Sequence, residues 1–130
     1  MKYIIMILIV LGLAGADFLT GLIKAYIKDD VCSAKMRKGG LNKMGELIIM
    51  VTACGLEIGI EQLGHYYQAD QAAELAAVAG TVAAGLIFGY IVVMELISIL
   101  ENYSSICPDA WWVRSVIGKL RNVKSKEDTK

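Results

Sequence analysis

This sequence is short of the residues that break helices, ligate metals and link chains. It has a single proline, Pro108, and a single histidine, His65. One proline in 130 residues leaves long stretches free to run as uninterrupted helix. Turn-forming clusters of Gly, Pro, Asn and Asp are few, and there is no series of alternating strands, which excludes an outer-membrane barrel. Cys32, Cys54 and Cys107 show no Cys-x-x-Cys spacing and read as small, unpaired residues. Gly39-Gly40 lies in no phosphate-loop sequence and reads as a loop hinge. With no nucleophile–base pairing and no metal-ligand cluster, neither an enzyme nor a cofactor or metal is expected. Net charge is missing too. Thirteen basic and thirteen acidic residues cancel, so bulk charge points to no nucleic-acid partner.

What the chain has instead is apolar length. Its apolar fraction is 56% and its mean hydropathy +0.54. Soluble domains sit near about 45–50% apolar, so the excess must face something other than water. Tyr3 to Ile23 carries one charge, Asp17, and at 1.5 Å per residue covers about 30 Å. Leu47 to Leu63 is interrupted by Glu57 and Glu61, and Leu75 to Met94 has no charge at all. A water-soluble helical bundle fails for want of polar faces. The expectation is an all-α membrane protein with three transmembrane helices, about 3–26, 44–64 and 72–100, and a short amphipathic C-terminal helix. Residues 1–107 form the membrane domain, and 108–130 a basic tail. His65 beside Tyr66-Tyr67 reads as an interfacial aromatic cluster.

The N-terminus poses a choice. Lys2, an apolar run and Ala14-Gly15-Ala16 look like a signal peptide with cleavage before Asp17. Alternatively the run continues through Phe18 to Ile23 as a span. Lysine and arginine decide between them, because cytoplasmic loops hold their excess. Lys24, Lys28, Lys35, Arg37, Lys38 and Lys43 cluster between the first two hydrophobic stretches, and Arg114, Lys119 and Arg121 lead a basic tail. Between Met44 and Val113 there is none, and the second loop carries Glu61, Asp70 and Glu74. Three spans satisfy the rule with the N-terminus outside and the C-terminus cytoplasmic. A cleaved chain with two spans would put both basic segments on the wrong side.

The stretch "ADFLTGLIKAYI", followed by "SAKMRKGGLNKM", resembles the Asp-x-Leu-Thr-Gly-x-x-Lys-Ala signature and basic loop of the toxin-secretion/phage-lysis holin family. "MELISILENYSSICP" is similar to that family's second marker, at the end of its last span. Met94 departs from it, since the family often has Asn there. The resemblance covers roughly residues 5 to 120 and crosses the would-be cleavage site. It implies a holin: a homo-oligomer that forms timed pores in the bacterial cytoplasmic membrane and so brings about phage lysis (cytolysis) or toxin secretion. Its partners would be membrane lipids and, functionally, an endolysin or a toxin. The alternative is a small accessory or regulatory membrane subunit without pore activity.

Two patterns bear on that expectation. Gly55-x-x-x-Gly59 and Gly85-x-x-x-Gly89 have the spacing that lets helices approach closely in lipid, and Ala76, Gly80 and Ala84 form a further small stripe. Such stripes pack helices either within one subunit or between subunits. Ionisable residues inside spans are costly and face a bundle interior or water. Asp17 and Lys24 share a face that Thr20 could bridge, as do Glu57 and Glu61, and Glu95 and Asn102. These polar stripes suit a pore lining, although Asp17 and Glu95 near helix ends would equally reach headgroups. After Pro108, set at a first helical turn, Trp112, Val113, Val116, Ile117 and Leu120 recur at helical spacing. They form an amphipathic helix anchored at the interface by Trp111 and Trp112, and from Val123 on the chain reads as a solvated tail.

Overall fold

In a computed structural model, which describes residues 1–67 and 70–127, the chain forms four helices. They are α1 (Lys2–Ile27), α2 (Ser33–Tyr67), α3 (Asp70–Ile106) and α4 (Trp111–Glu127). The side chains of His65, Tyr67 and residues 70–73 and 124–127 lie outside the described set, as do Gln68, Ala69 and residues 128–130 entirely. The expected His65–Tyr67 cluster and the acidic role of Asp70 fall there. Three helices are long and apolar enough to cross a membrane, within Lys2–Ile27, Ser33–Gly64 and Glu74–Ile106.

The bundle is inverted relative to a soluble one. Leu8, Leu19, Ile48, Leu56, Val82 and Leu86 are exposed, whereas Asp17, Glu57 and Glu95 are buried. Its apolar core is thin: Val10, Met50, Cys54 and Ile91, flanked by Met6, Ile7, Leu47 and Phe88. Surfaces of this kind are stable against lipid, not water. This is an all-α membrane protein with three transmembrane helices and a short C-terminal helix.

Polar contacts set the register. Lys2 meets Glu57 at one level and Asp17 meets Lys43 at another, so α1 and α2 run antiparallel. Glu57 with Thr81 and Lys43 with Glu95 pair α2 to α3 in the same sense. α1 runs unbroken through Ala14-Gly15-Ala16, and both Ala14 and Asp17 are buried in the bundle. It ends at Lys28–Asp30. There Asp29 takes a positive φ of 54°, and the amides of Asp29 and Asp30 donate to the carbonyls of Tyr26 and Ala25. That is the left-handed closing turn of a helix, at a residue type that tolerates it.

The expected boundaries need three corrections. First, α2 begins at Ser33 rather than near 44, so Gly39-Gly40 is helical and not a loop hinge. The basic run Ser33–Lys38 is built from adequate helix formers, and extending the helix through it brings Lys43 to Asp17 and Glu95. Those contacts outweigh roughly 1 kcal/mol of helix propensity lost per glycine. α3 likewise continues past 100 to Ile106. Second, Pro108 does not open a helix. It sits second in a turn closed by Ala110 N–H donating to the Cys107 carbonyl, where its fixed φ fits, and it stops α3. Third, the helix of the tail continues past Val123 to Glu127. α4 packs on α3: Val113 is fully buried, Trp112 lies 6.3 Å from Tyr103 ring to ring, and Arg121 pairs with Glu101. Trp111 stays exposed and Trp112 half so.

Candidate functional site: two polar layers inside an apolar bundle

The charged residues of the spans collect in two layers. The first lies where α1 begins. Glu57 Oε1 accepts from Lys2 Nζ at 2.6 Å and from Thr81 Oγ1 at 2.6 Å. Gly80 makes room for this, since a Cβ there would stand 3.3 Å from the Glu57 Cα. Lys2 also lies over the Tyr3 ring, 5.0 Å from its centroid. Glu57, although far from either end of α2, therefore sits at the level of the first turn of α1. Its expected face partner Glu61 is exposed above that level.

The second layer is larger and centres on Lys43. Its ammonium lies 2.9 Å from Asp17 Oδ2, 2.5 Å from Glu95 Oε1 and 3.7 Å from Glu46 Oε2. Asn102 extends the network from α3: its amide donates to Asp17 Oδ1 at 3.1 Å, and its carbonyl accepts from Lys24 Nζ at 3.3 Å. The bridge between Asp17 and Lys24 is thus Asn102, with Thr20 turned to the Asp17 main-chain carbonyl at 3.0 Å. The layer ties all three spans together, and the two layers between them leave a cost. Oε2 of Glu46, of Glu57 and of Glu95 is buried without a hydrogen-bond donor among the described residues. Such groups are expensive in a low-dielectric setting.

The structure brings together Asp17, Lys24 and Glu95 in one layer and places Glu57 in the other. Lys43, Glu46, Lys2 and Thr81 complete them. Lys43 looked like a loop residue because it closes a basic run. Its spacing from Glu46 and Leu47, a helical i, i+3, i+4 pattern, was the signal that it belongs to the span.

The small residues divide by face. Gly80 and Ala84 turn inward, and Ala76 is partly covered. Gly55, Gly59, Gly85 and Gly89 face open space, with nothing within 4 Å of where a Cβ would stand.

Outside the spans, Cys32 immediately precedes α2. The amides of Lys35 and Ala34 point at its sulfur and hold the thiol below its ordinary pKa. Among the described residues, no group of His, Cys, Asp or Glu is arranged to hold a metal.

No curated protein and no solved structure matches the chain. A family profile does: that of the bacteriophage holin family, over residues 1–122. That is not an enzyme family. With nearly the whole chain matched and three apolar spans in place, the protein belongs to the bacteriophage holin family and is a multi-pass protein of the cytoplasmic membrane.

Proposed function

We propose that the protein is a lesion-forming holin that releases an endolysin or a toxin from the cell. It accumulates as the closed three-helix subunit and associates laterally through the outward glycines Gly55, Gly59, Gly85 and Gly89, where lipid offers no hydrophobic drive and close backbone contact supplies it. On assembly the helices part, and the two polar layers exchange their internal contacts for water. The observation that carries this reading is the burial of Asp17, Glu57 and Glu95 inside a bundle whose outside is apolar. Oε2 of Glu46, of Glu57 and of Glu95, none of which accepts a hydrogen bond among the described residues, gives water something to satisfy. The N-terminus lies outside, with the α1–α2 connection and α4 cytoplasmic, a reading that the lysine and arginine distribution supports.

One observation favours the accessory-subunit reading instead. Each of these charged groups already has a partner within the subunit, as a protein built only to span and pack would arrange. Induced expression separates the two, with membrane potential and culture density followed with and without a co-expressed wall hydrolase. A holin collapses the potential abruptly and lyses the culture only when the hydrolase is present. A packing subunit leaves the potential intact at the same membrane level.

A further inference from the structure

At the end of the bundle that carries the α1–α2 connection, a cleft of about 290 Å³ opens between α1, α2 and the Asn102 turn of α3. That is just under the lower limit, about 300 Å³, of typical small-molecule sites. Four lysines line it: Lys24, Lys28, Lys35 and Lys43. Two of them are neutralised by carboxylates, Lys43 by Asp17 and Glu95, and Lys35 by Asp30. The other two are not. Among the described residues, Lys24 donates only to the neutral Asn102 carbonyl and Lys28 makes no ion pair.

Between these charged groups the wall is apolar, formed by Phe18, Leu22 and Met36. Gly39 adds no side chain to the space. Below the cleft, α1 presents Leu19 and Ile23 to the bilayer. A cation pair above an apolar wall, at the end of a span, matches a phosphate with acyl chains better than a free ion. Basic pockets between spans on the cytoplasmic side take anionic headgroups for the same reason. The α2 amides that face Cys32 add partial positive charge at the same mouth.

We propose that this cleft is a binding site for one anionic phospholipid, its phosphate held between Lys24 and Lys28 and its chains led into the bilayer along Phe18 and Leu22. The site asks only that the helices lie in a membrane, and it stands whether or not the protein forms lesions.

The test uses the purified full chain in a neutral detergent, with thermal stability followed by tryptophan fluorescence. Short-chain phosphatidylglycerol, short-chain phosphatidylcholine and inorganic phosphate are each titrated in. The phosphatidylglycerol midpoint should fall at least about tenfold below the other two, and K24Q/K28Q should raise it about tenfold. R37Q/K38Q removes as much charge outside the cleft and should leave the midpoint in place. K28Q alone, at a side chain with no partner to lose, repeats the measurement if the double variant fails to fold. A parent that answers equally to inorganic phosphate would make this an anion site and overturn the lipid assignment. An equal response to phosphatidylcholine, or an equal loss in R37Q/K38Q, would reduce the effect to general adsorption and sink the site.

Discussion

Lys43 holds together what the amino-acid pattern scattered. Its ammonium serves Asp17 on α1 and Glu95 on α3 while Glu46 stands by on its own helix. Removing one partner of a buried ion pair strands the other at a cost of about 3–5 kcal/mol. Lys43→Met should therefore cut the amount of folded protein in the membrane severalfold, measured by protease resistance at equal synthesis. Adding Asp17→Asn and Glu95→Gln should restore most of it, because the stranded charges go with the lysine. Full resistance in Lys43→Met alone would show that the layer is not a tie. The carboxylates were legible in the sequence because charge inside an apolar run is conspicuous. Lys43 was not, because a lysine at the end of a basic run looks like any other. The same scale holds a pH test at Cys32, whose thiol is held down by two amides. In a Cys54→Ala/Cys107→Ser background, the alkylation rate should reach half its maximum below the pH of about 8.5 typical of a free cysteine. A lowered pKa means more thiolate at neutral pH, hence faster labelling there. In the proposed orientation the impermeant reagent should reach Cys32 only after cells are opened, and labelling of intact cells would reverse the topology.

At the level of helices, the three spans were readable from hydropathy and the boundaries were not. Hydropathy ends where charge begins, but a helix does not: α2 continues through Lys35–Lys43 because tertiary contacts reward it. The tail helix was readable from its period, while its seat on α3 through Val113, Trp112 and Arg121 depends on partners distant in the chain. The glycine stripes had no readable direction, since period alone does not say which helix stands opposite. The structure separates them by face, and substitution can be asked to do the same. Gly80→Leu meets the α2 backbone at Glu57 and must push the helices apart, an overpacking cost of about 1–3 kcal/mol. It should lower accumulation. Gly85→Leu and Gly89→Leu point into open space and should accumulate like the parent. If subunits meet through that face, the two should shorten crosslinked ladders in the membrane. A loss of about 1 kcal/mol per contact would weaken association roughly fivefold. Ladders unchanged in both variants would remove this face from the assembly.

For the whole molecule the central question is whether the closed bundle is the end state or a stage. Its interior charges are paired but incompletely satisfied, and Glu57 shows the tension most simply. One oxygen takes both Lys2 and Thr81, and the other accepts no hydrogen bond among the described residues. Replacing Glu57 by Leu removes a carboxylate from an apolar span, worth up to about 3 kcal/mol on the insertion scale. It strands little, because the Lys2 side chain is 53% exposed and can hydrate, and the Thr81 hydroxyl can turn to a main-chain carbonyl one turn back on its own helix. In a protein that only spans and packs, that change should be neutral or stabilising in every assay. In a lesion-former it removes a charge that would hold water along the opened face. Glu57→Leu should thus accumulate at least as well as the parent yet collapse the membrane potential late or incompletely. Glu57→Gln, still polar, should fall between the two. The quantity to measure is the delay from induction to loss of potential, at matched protein in the membrane. Matching the protein level matters, because assembly depends on concentration and a better-inserting variant would otherwise appear early. If Glu57→Leu fires on the parent's schedule, the outer layer is a tie between helices and nothing more. Water must then enter through the Lys43 layer or through lipid.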